Sequence, residues 1–473
     1  MKKIILIIAL IISSLGITGC SNEFLNAPQP TDLITEQVAF DSKEAINAVM
    51  SGIIRNARGP FQYVSVYNLS TVFFARTIKG NDFIQANSGG LFNDDYQYND
   101  REPAHSRPVF TWTFFYQLAN RLTLFIEGVK TSKADLTQQE RNDFLGQGYA
   151  FRAFCYFQLS LEFQNTYSYN PDLGAVPIYK EPSLTGRPLS TMKEVYQFIL
   201  SDLDNAVNLS SNNRINKSYL NKSVAYAIQA QVYQVTGDWV KAEQAAHNAY
   251  GGDPSAVLNA SQYKEGFNDA DATEWLWGLI QSDEQNTDLG AAPFAFMDFV
   301  SPISSKSTYV NSNFISLFSN TDVRKLFTKM SENDWRSYTT TKFKYELGSD
   351  MPLIRYPEMI LIEAEALYHQ GKMSEAHNLL FALQKNRDPE AILSGNAGPA
   401  LLEEILVERR KELYGENGIE WFDAKRLRRG INRTPNHRVV INLTPDDKRF
   451  FLKIPQREID ANPYIDPFVN NGK

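Results

Sequence analysis

The chain has 473 residues, of which 43% are hydrophobic and 21% charged, ordinary values for a globular protein able to bury a core. These values exclude disordered, collagen-like and polytopic membrane classes, and two cysteines, Cys20 and Cys155, are too few for a disulfide framework. With 47 basic and 54 acidic residues the net charge is −7, and no long basic run exists, so nucleic acid is not an expected partner. The aromatic share is less ordinary: 30 Phe, 23 Tyr and 6 Trp make 12% of the chain. Some of these rings must build the core, and the question is whether any remain for a ligand.

The first residues read as an address. Met1-Lys2-Lys3 precedes the apolar run from Ile4 to Ile12, and small residues follow, as in a secretory signal peptide spanning 1–19. Such a run is too short for a bilayer span, which needs about 20 residues. Ile17-Thr18-Gly19-Cys20 resembles a bacterial lipobox, which makes Cys20 the expected lipidation site and membrane anchor. Ser21-Asn22-Glu23 puts no Asp directly after the cysteine, which weighs against retention at the inner membrane. Loss of the leader removes two lysines, leaving 45 basic against 54 acidic residues and a mature charge of −9. Residues 20–35, with Pro28 and Pro30, read as a tether.

The first folded element is a helix opened by a capping box of Asp41 and Glu44, with Ala45, Val49 and Ile53 at helical spacing and a stop at Gly59-Pro60. Further helices are predicted at Leu69–Ile78, Trp112–Val129 and Thr137–Phe163, the last behind the capping box of Thr137 and Glu140. Cys155 sits in that helix among Phe151, Phe154, Tyr156 and Phe157, with no histidine near it in sequence, and reads as buried filler. Thr191 and Glu194 form another capping box before Val195–Val207. Strand signals are few, the better ones being Trp275–Ile280, with Trp275 and Trp277 read as core, and Phe450–Ile454.

Internal repetition is more informative than any single helix. Ala230 and Tyr233 precede Gly237 by seven and four residues, and Ala242, Ala249 and Pro254 follow it. Ala364 and Leu367 precede Gly371 at the same distances, followed by Ala376, Leu380 and Leu383. This is tetratricopeptide-repeat spacing, in which small residues let two helices approach and the glycine makes their turn. Ala153 and Tyr156 make a third, partial match. A loop-rich insertion separates the two full copies. The expected fold is therefore mainly α: interrupted tetratricopeptide-like repeats packed against a loop-rich part with a few short strands.

Several motifs then occur in a characteristic order. Phe24-Leu25-Asn26-Ala27-Pro28 follows the lipobox, and then come Arg152-Ala153-Phe154-Cys155-Tyr156-Phe157 and Gly174-Ala175-Val176-Pro177. Asp322-Val323-Arg324 precedes Arg355-Tyr356-Pro357-Glu358 and Glu363-Ala364-Glu365. Glu408-Arg409-Arg410, Trp421-Phe422-Asp423-Ala424-Lys425-Arg426 and Ile454-Pro455-Gln456-Arg457-Glu458 close the series. Across nearly the whole chain this resembles the SusD/RagB family of Bacteroidetes outer-membrane lipoproteins. The chain departs from the family pattern at Asn26, where an Asp is usual, and at Leu383–Pro389, where a run ending in Arg-x-Arg-Ala-Gly is usual.

The resemblance implies a surface lipoprotein of the outer membrane that binds an oligosaccharide (a peptide in some relatives) and delivers it to a SusC-like TonB-dependent transporter. It implies one SusD-like domain over 36–473, no catalysis and no cofactor; the ligand-binding inserts, at about 80–110 and 265–345, are read from the loop-rich stretches of this chain. Family ligand residues share no motif, so none is transferred. The histidines have no metal-ligand spacing, and no nucleophile elbow or phosphate loop exists, so a glycan-processing enzyme is the weaker alternative. Glu408 with Arg409, and Asp423 with Lys425, read as structural ion pairs.

Sugars offer apolar C–H faces ringed by hydroxyls, so a site needs aromatic platforms beside amides, acids or Arg. Two loop-like stretches meet this requirement. The first holds Asn81, Asp82, Asn93, Tyr96, Tyr98 and Arg101; the second holds Phe294, Phe296, Phe299 and Tyr309. The alternative for each is that the rings pin a loop to the scaffold. Asp94-Asp95 and Asp446-Asp447 could hold a cation but read as solvated acids, and no metal site is expected.

Overall fold

The computed structural model describes residues 36–59, 61, 64–86, 91–281, 294–331 and 334–473. The lipidation site Cys20, the leader and the tether lie outside the described residues. Helix α1 (Lys43–Arg58) begins one residue later than its sequence suggests, because the Ser42 side chain, not that of Asp41, accepts the Ala45 N–H at 3.2 Å. Helix α2 (Leu69–Lys79) is buried along its whole length. Strand β1 (Phe83–Gln85) and a short helix α3 (Asn93–Gln97) follow, the latter in a stretch expected to be loop.

Two long helices come next, α4 (Ser106–Thr131) and α5 (Gln138–Phe163). The capping box of Thr137 and Glu140 forms as expected, and so does that of Thr191 and Glu194 at the start of α6 (Met192–Leu209). Cys155 is fully buried, and burial pushes its thiol pKa up, which keeps it inert. Strands β2 (Gly174–Val176) and β3 (Ser190–Thr191) bracket a loop that Tyr116 of α4 holds at the Pro177 carbonyl and Tyr156 of α5 at the Tyr179 N–H.

Both repeats are present as helix hairpins. The first is α7 (Lys222–Thr236) and α8 (Trp239–Tyr250), turning at Gly237 with φ +76°. The second is α9 (Tyr356–His369) and α10 (Met373–Arg387), turning at Gly371 with φ +78°, a left-handed conformation that glycine adopts without strain. Helices α4 to α10 pack in sequence order, each on the next, and α8 meets α9 although a long insertion separates them in the chain. Across that junction Glu363 accepts from the Tyr250 hydroxyl at 2.7 Å, and Trp239 stacks on His369 at 4.0 Å. The repeats that are separate in sequence are contiguous in space.

The insertion is closed by strands β4 (Trp275–Leu279) and β8 (Met351–Arg355), antiparallel from Trp275 opposite Arg355 to Leu279 opposite Met351. Trp275 and Trp277 are buried, as read from the sequence. Inside it, β5 (Thr308–Val310), β6 (Phe327–Lys329) and β7 (Tyr338–Thr340) join β1 in an antiparallel sheet of order β1-β5-β7-β6. The stretch Phe450–Ile454 is not a strand: a 3-10 turn (Lys448–Phe450) leads into chain whose N–H groups bond singly, Leu452 to Glu162 O and Lys453 to Arg101 O.

Helices α11 (Pro399–Leu413) and α12 (Ile419–Arg426) complete the scaffold and carry one side of a buried charge network. Arg324, Lys342, Arg355 and Arg387 meet Glu274, Asp322, Glu408, Glu412 and Glu416, almost all of it closed to solvent. The expected local pairs are replaced by longer-range ones: Glu408 binds Arg324, Arg409 binds Asp423, and Lys425 donates to the carbonyls of Leu161 and Phe450. Helical spacing points each of these side chains at another element and away from its sequence neighbour. Arg387 lies in the segment that departs from the family pattern, yet its guanidinium is fully buried in this network.

Candidate functional site

The sheet brings the two candidate stretches together. Phe83 lies opposite Val310, Ile84 opposite Tyr309 and Gln85 opposite Thr308. The side chains they present to solvent differ sharply from the sequence expectation.

In the first stretch the rings are interior. Tyr96 is 0% and Tyr98 4% exposed, so neither has a face for a sugar. The Arg433 guanidinium lies 4.1 Å from the Tyr96 centroid, the Tyr96 hydroxyl meets His437 Nδ1 at 2.9 Å, and the Tyr98 hydroxyl donates to the Lys79 carbonyl. Burial raises both phenol pKa values. The groups that pin the Tyr96 ring come from a segment some 340 residues later, so no local pattern could expose the arrangement.

The polar candidates of that stretch are structural too. Asn81 Oδ1 accepts the Thr434 N–H at 2.8 Å, and Asn81 O accepts from Asn311 Nδ2 at 2.7 Å. Asp82 is buried in a bidentate pair with Arg410. Asn93 Oδ1 accepts from Arg438 at 2.7 Å, and Arg101 donates to the carbonyls of Phe451 and Lys473. The paired acids have side-chain partners: Asp95, Asp446 and Asp447 are ion-paired with Arg107, Arg428 and Arg449, and Asp94 lies 3.1 Å from His105 Nε2.

The second stretch divides. Phe296 is buried, stacked on Phe74 at 5.0 Å, so it is core and not a platform. Phe294 opens a short helix (Phe294–Met297), and its side chain lies outside the described residues. Tyr309, by contrast, is half-buried on β5 and sits between two other half-buried rings. Phe299 lies 4.9 Å away at 61°, and Trp335 lies 5.7 Å away at 90°.

Local chemistry fixes this trio. Buried Asp298 accepts the N–H of Val300 at 2.7 Å and of Tyr345 at 2.8 Å, which turns the chain so that Phe299 and Val300 face outward. Trp335 lies in the β6–β7 turn, where Asp334 accepts from the Arg336 N–H at 2.7 Å and its Nε at 3.0 Å. The exposed Arg336 guanidinium lies 5.2 Å from the Trp335 ring. Three rings with a charged fork at their edge can stack on an apolar ring face and hydrogen-bond to its substituents. Trp335 was missed in the sequence reading. A usable signal is the sequence Ser331-Glu332-Asn333-Asp334-Trp335-Arg336-Ser337, a polar run rich in turn-forming residues around one tryptophan.

Comparison with known proteins agrees with this architecture. A family model described as "Starch-binding associating with outer membrane" matches residues 23–234, and one described as "SusD family" matches residues 227–471. SusD-like protein P38 of Formosa agariphila is 24% identical over 500 residues, covering 91% of this chain and 93% of its own. A solved SusD-like carbohydrate binding protein from Bacteroides vulgatus has a TM-score of 0.82 at 24% identity, covering 90% of this chain and 98% of that one. Surface glycan-binding protein A from Bacteroides thetaiotaomicron, solved in complex with laminarihexaose, has a TM-score of 0.71 at 16% identity, covering 89% and 98%.

Proposed function

The chain belongs to the SusD family, and from that premise we propose that it is a non-catalytic outer-membrane lipoprotein that captures an oligosaccharide and passes it to a SusC-like TonB-dependent transporter. Cys20 would carry the lipid, and the tether over 20–35 would hold the folded part away from the membrane surface. The observation that carries the ligand class is the half-buried trio of Phe299, Tyr309 and Trp335 beside Arg336. Aromatic faces flanked by fixed polar groups suit a pyranose, whose C–H face is apolar and whose rim donates and accepts. The network around Arg355 and Glu412 supports the reading by holding the insertion rigidly to the helices, so little ordering entropy is lost on binding.

Calorimetric titration of the mature protein with an oligosaccharide panel tests this. A bound member whose affinity falls in Trp335→Ala, with no product released on incubation, is the expected result. Peptide binding with no sugar binding, or turnover of the sugar, would replace this reading. Cys20→Ala should release the protein from the membrane without unfolding it.

A further inference from the structure

A cavity of about 470 Å³ opens beside α4, within the size range of ligand sites, and it shares no residue with the Phe299, Tyr309 and Trp335 trio. Its walls are aromatic. Tyr116 lies 4.8 Å from Trp112, and Tyr156 and Tyr179 stand nearly perpendicular to it at 6.1 and 6.0 Å. The polar tips of three of these side chains are used inside the protein. Tyr116 donates to Pro177 O at 2.7 Å, Tyr156 accepts the Tyr179 N–H at 2.8 Å, and Trp112 Nε1 donates to Glu458 at 3.2 Å. Trp112, Tyr116 and Tyr156 are therefore locked in place with apolar surface remaining, while Tyr179 carries the Arg187 guanidinium 5.9 Å from its ring centroid.

The rim is different. Gln117 and Asn120, exposed and three residues apart on α4, with Asn120 one turn from Tyr116, make no hydrogen bond among the described residues. Each amide offers donors and an acceptor that a ligand would satisfy. Gln117 also lines a second cavity of about 500 Å³ with Arg55, Asn56 and Phe114, so a ligand longer than one ring has room to continue across the helix. Arg457 is the one cation in the 470 Å³ cavity, and Glu458 stands beside it, which disfavours a phosphate or other multiply charged anion.

We propose that this α4 cavity is a second saccharide site, taking a neutral sugar ring against Tyr116 and Tyr179 with Gln117 and Asn120 binding its hydroxyls. The choice of ligand class rests on the capture function proposed above; the cavity itself does not. Two sites on one surface protein would hold one long glycan at two points and slow its release.

The test is calorimetry of the mature protein with a panel of neutral oligosaccharides that includes laminarihexaose, comparing wild type, Trp335→Ala and the double variant Gln117→Ala with Asn120→Ala. Both substituted α4 positions are exposed, so melting temperatures should be unchanged. Wild type should require two sites, the double variant should lose one with at least a ten-fold weaker constant, and Trp335→Ala should lose the other. A single site indifferent to the double variant overturns the α4 proposal and leaves capture at the trio standing. A single site lost in the double variant and indifferent to Trp335 supports the α4 site and overturns the trio. Silence across the panel overturns both.

Discussion

Arg387 on α10 grips Glu412 on α11 with two hydrogen bonds, Nε to Oε2 at 3.0 Å and Nη2 to Oε1 at 3.0 Å, and neither side chain is exposed. Glu412 also accepts from Arg324 and Arg355, so one carboxylate joins α10, the segment before β6 and the end of β8. Burial alone would raise its pKa; the guanidiniums of Arg387, Arg355 and Arg324 instead hold it well below the ordinary carboxylate range. The candidate platform is carried by the insertion that these contacts clamp.

Glu412→Gln should therefore be severely destabilising. It leaves three buried guanidiniums facing a neutral amide, a situation that costs about 3–5 kcal/mol. Urea unfolding at neutral pH checks this. A loss under about 1 kcal/mol would mean that the remaining carboxylates re-pair and that the network is not the clamp described.

Tyr96 and Trp335 should separate stability from binding. Tyr96→Ala removes a buried ring beneath Arg433 and the hydroxyl that satisfies His437 Nδ1, and should cost about 3 kcal/mol of stability. Trp335→Ala removes a half-exposed ring and should leave the melting temperature almost unchanged while weakening oligosaccharide binding by about 1–2 kcal/mol. Thermal melts and calorimetry on both variants decide it. A Tyr96→Ala protein that melts normally but no longer binds would return the site to the first stretch.

The contrast between these rings marks the limit of what was legible in the sequence. The capping boxes at Thr137 and Thr191 and the turns at Gly237 and Gly371 are local, set by chemistry within a few residues, and each appears where it was expected. The stacking of α8 on α9, the grip of Arg433 and His437 on the Tyr96 segment, and the Arg387 to Glu412 pair are long-range. Nothing in the aromatic and amide composition near Tyr96 distinguishes a ring that faces a sugar from one that faces a buried arginine. Tyr309 stands out in the sequence as an aromatic in a loop-like insertion between the repeats, but its neighbour Trp335 lies 26 residues away and reaches it only through the sheet.

His437 should make the protein acid-sensitive within a defined window. Its ring is buried, with Nε2 2.9 Å from Asn81 O and Nδ1 2.9 Å from the Tyr96 hydroxyl, and burial lowers its pKa from 6.5 to about 4. The unfolded chain then binds a proton between pH 6.5 and 4 that the folded chain refuses. Stability should fall across that window as pH falls, by about 3 kcal/mol from this group, and level off below pH 4. His437→Gln retains a donor and an acceptor but does not titrate, so the difference in unfolding free energy between the two proteins, followed from pH 7 to 4, should shrink by that amount. A constant difference would show that the imidazole titrates in the fold as it does in the unfolded chain.

Glu358 works in the opposite direction. It lies on α9, 5% exposed, accepting from Gln231 Nε2 at 2.8 Å, and burial raises its pKa from 4.5 to about 6. Here the folded chain holds a proton that the unfolded chain has lost, so this group's contribution to stability declines as pH rises from 4.5 to 6. Above pH 6 the buried charge costs about 2 kcal/mol. Glu358→Gln removes that cost and keeps an acceptor for Gln231. Its new amide N–H borders a void of about 40 Å³, walled mainly by apolar side chains but also by Arg76, Gln158 and Asn417, large enough for one bridging water. The variant should match wild type at pH 4.5 and exceed it by about 1–2 kcal/mol at pH 7.5 in urea unfolding. Equal stabilities at pH 7.5 would mean that wild-type Glu358 carries its charge without penalty, through water reaching the same void.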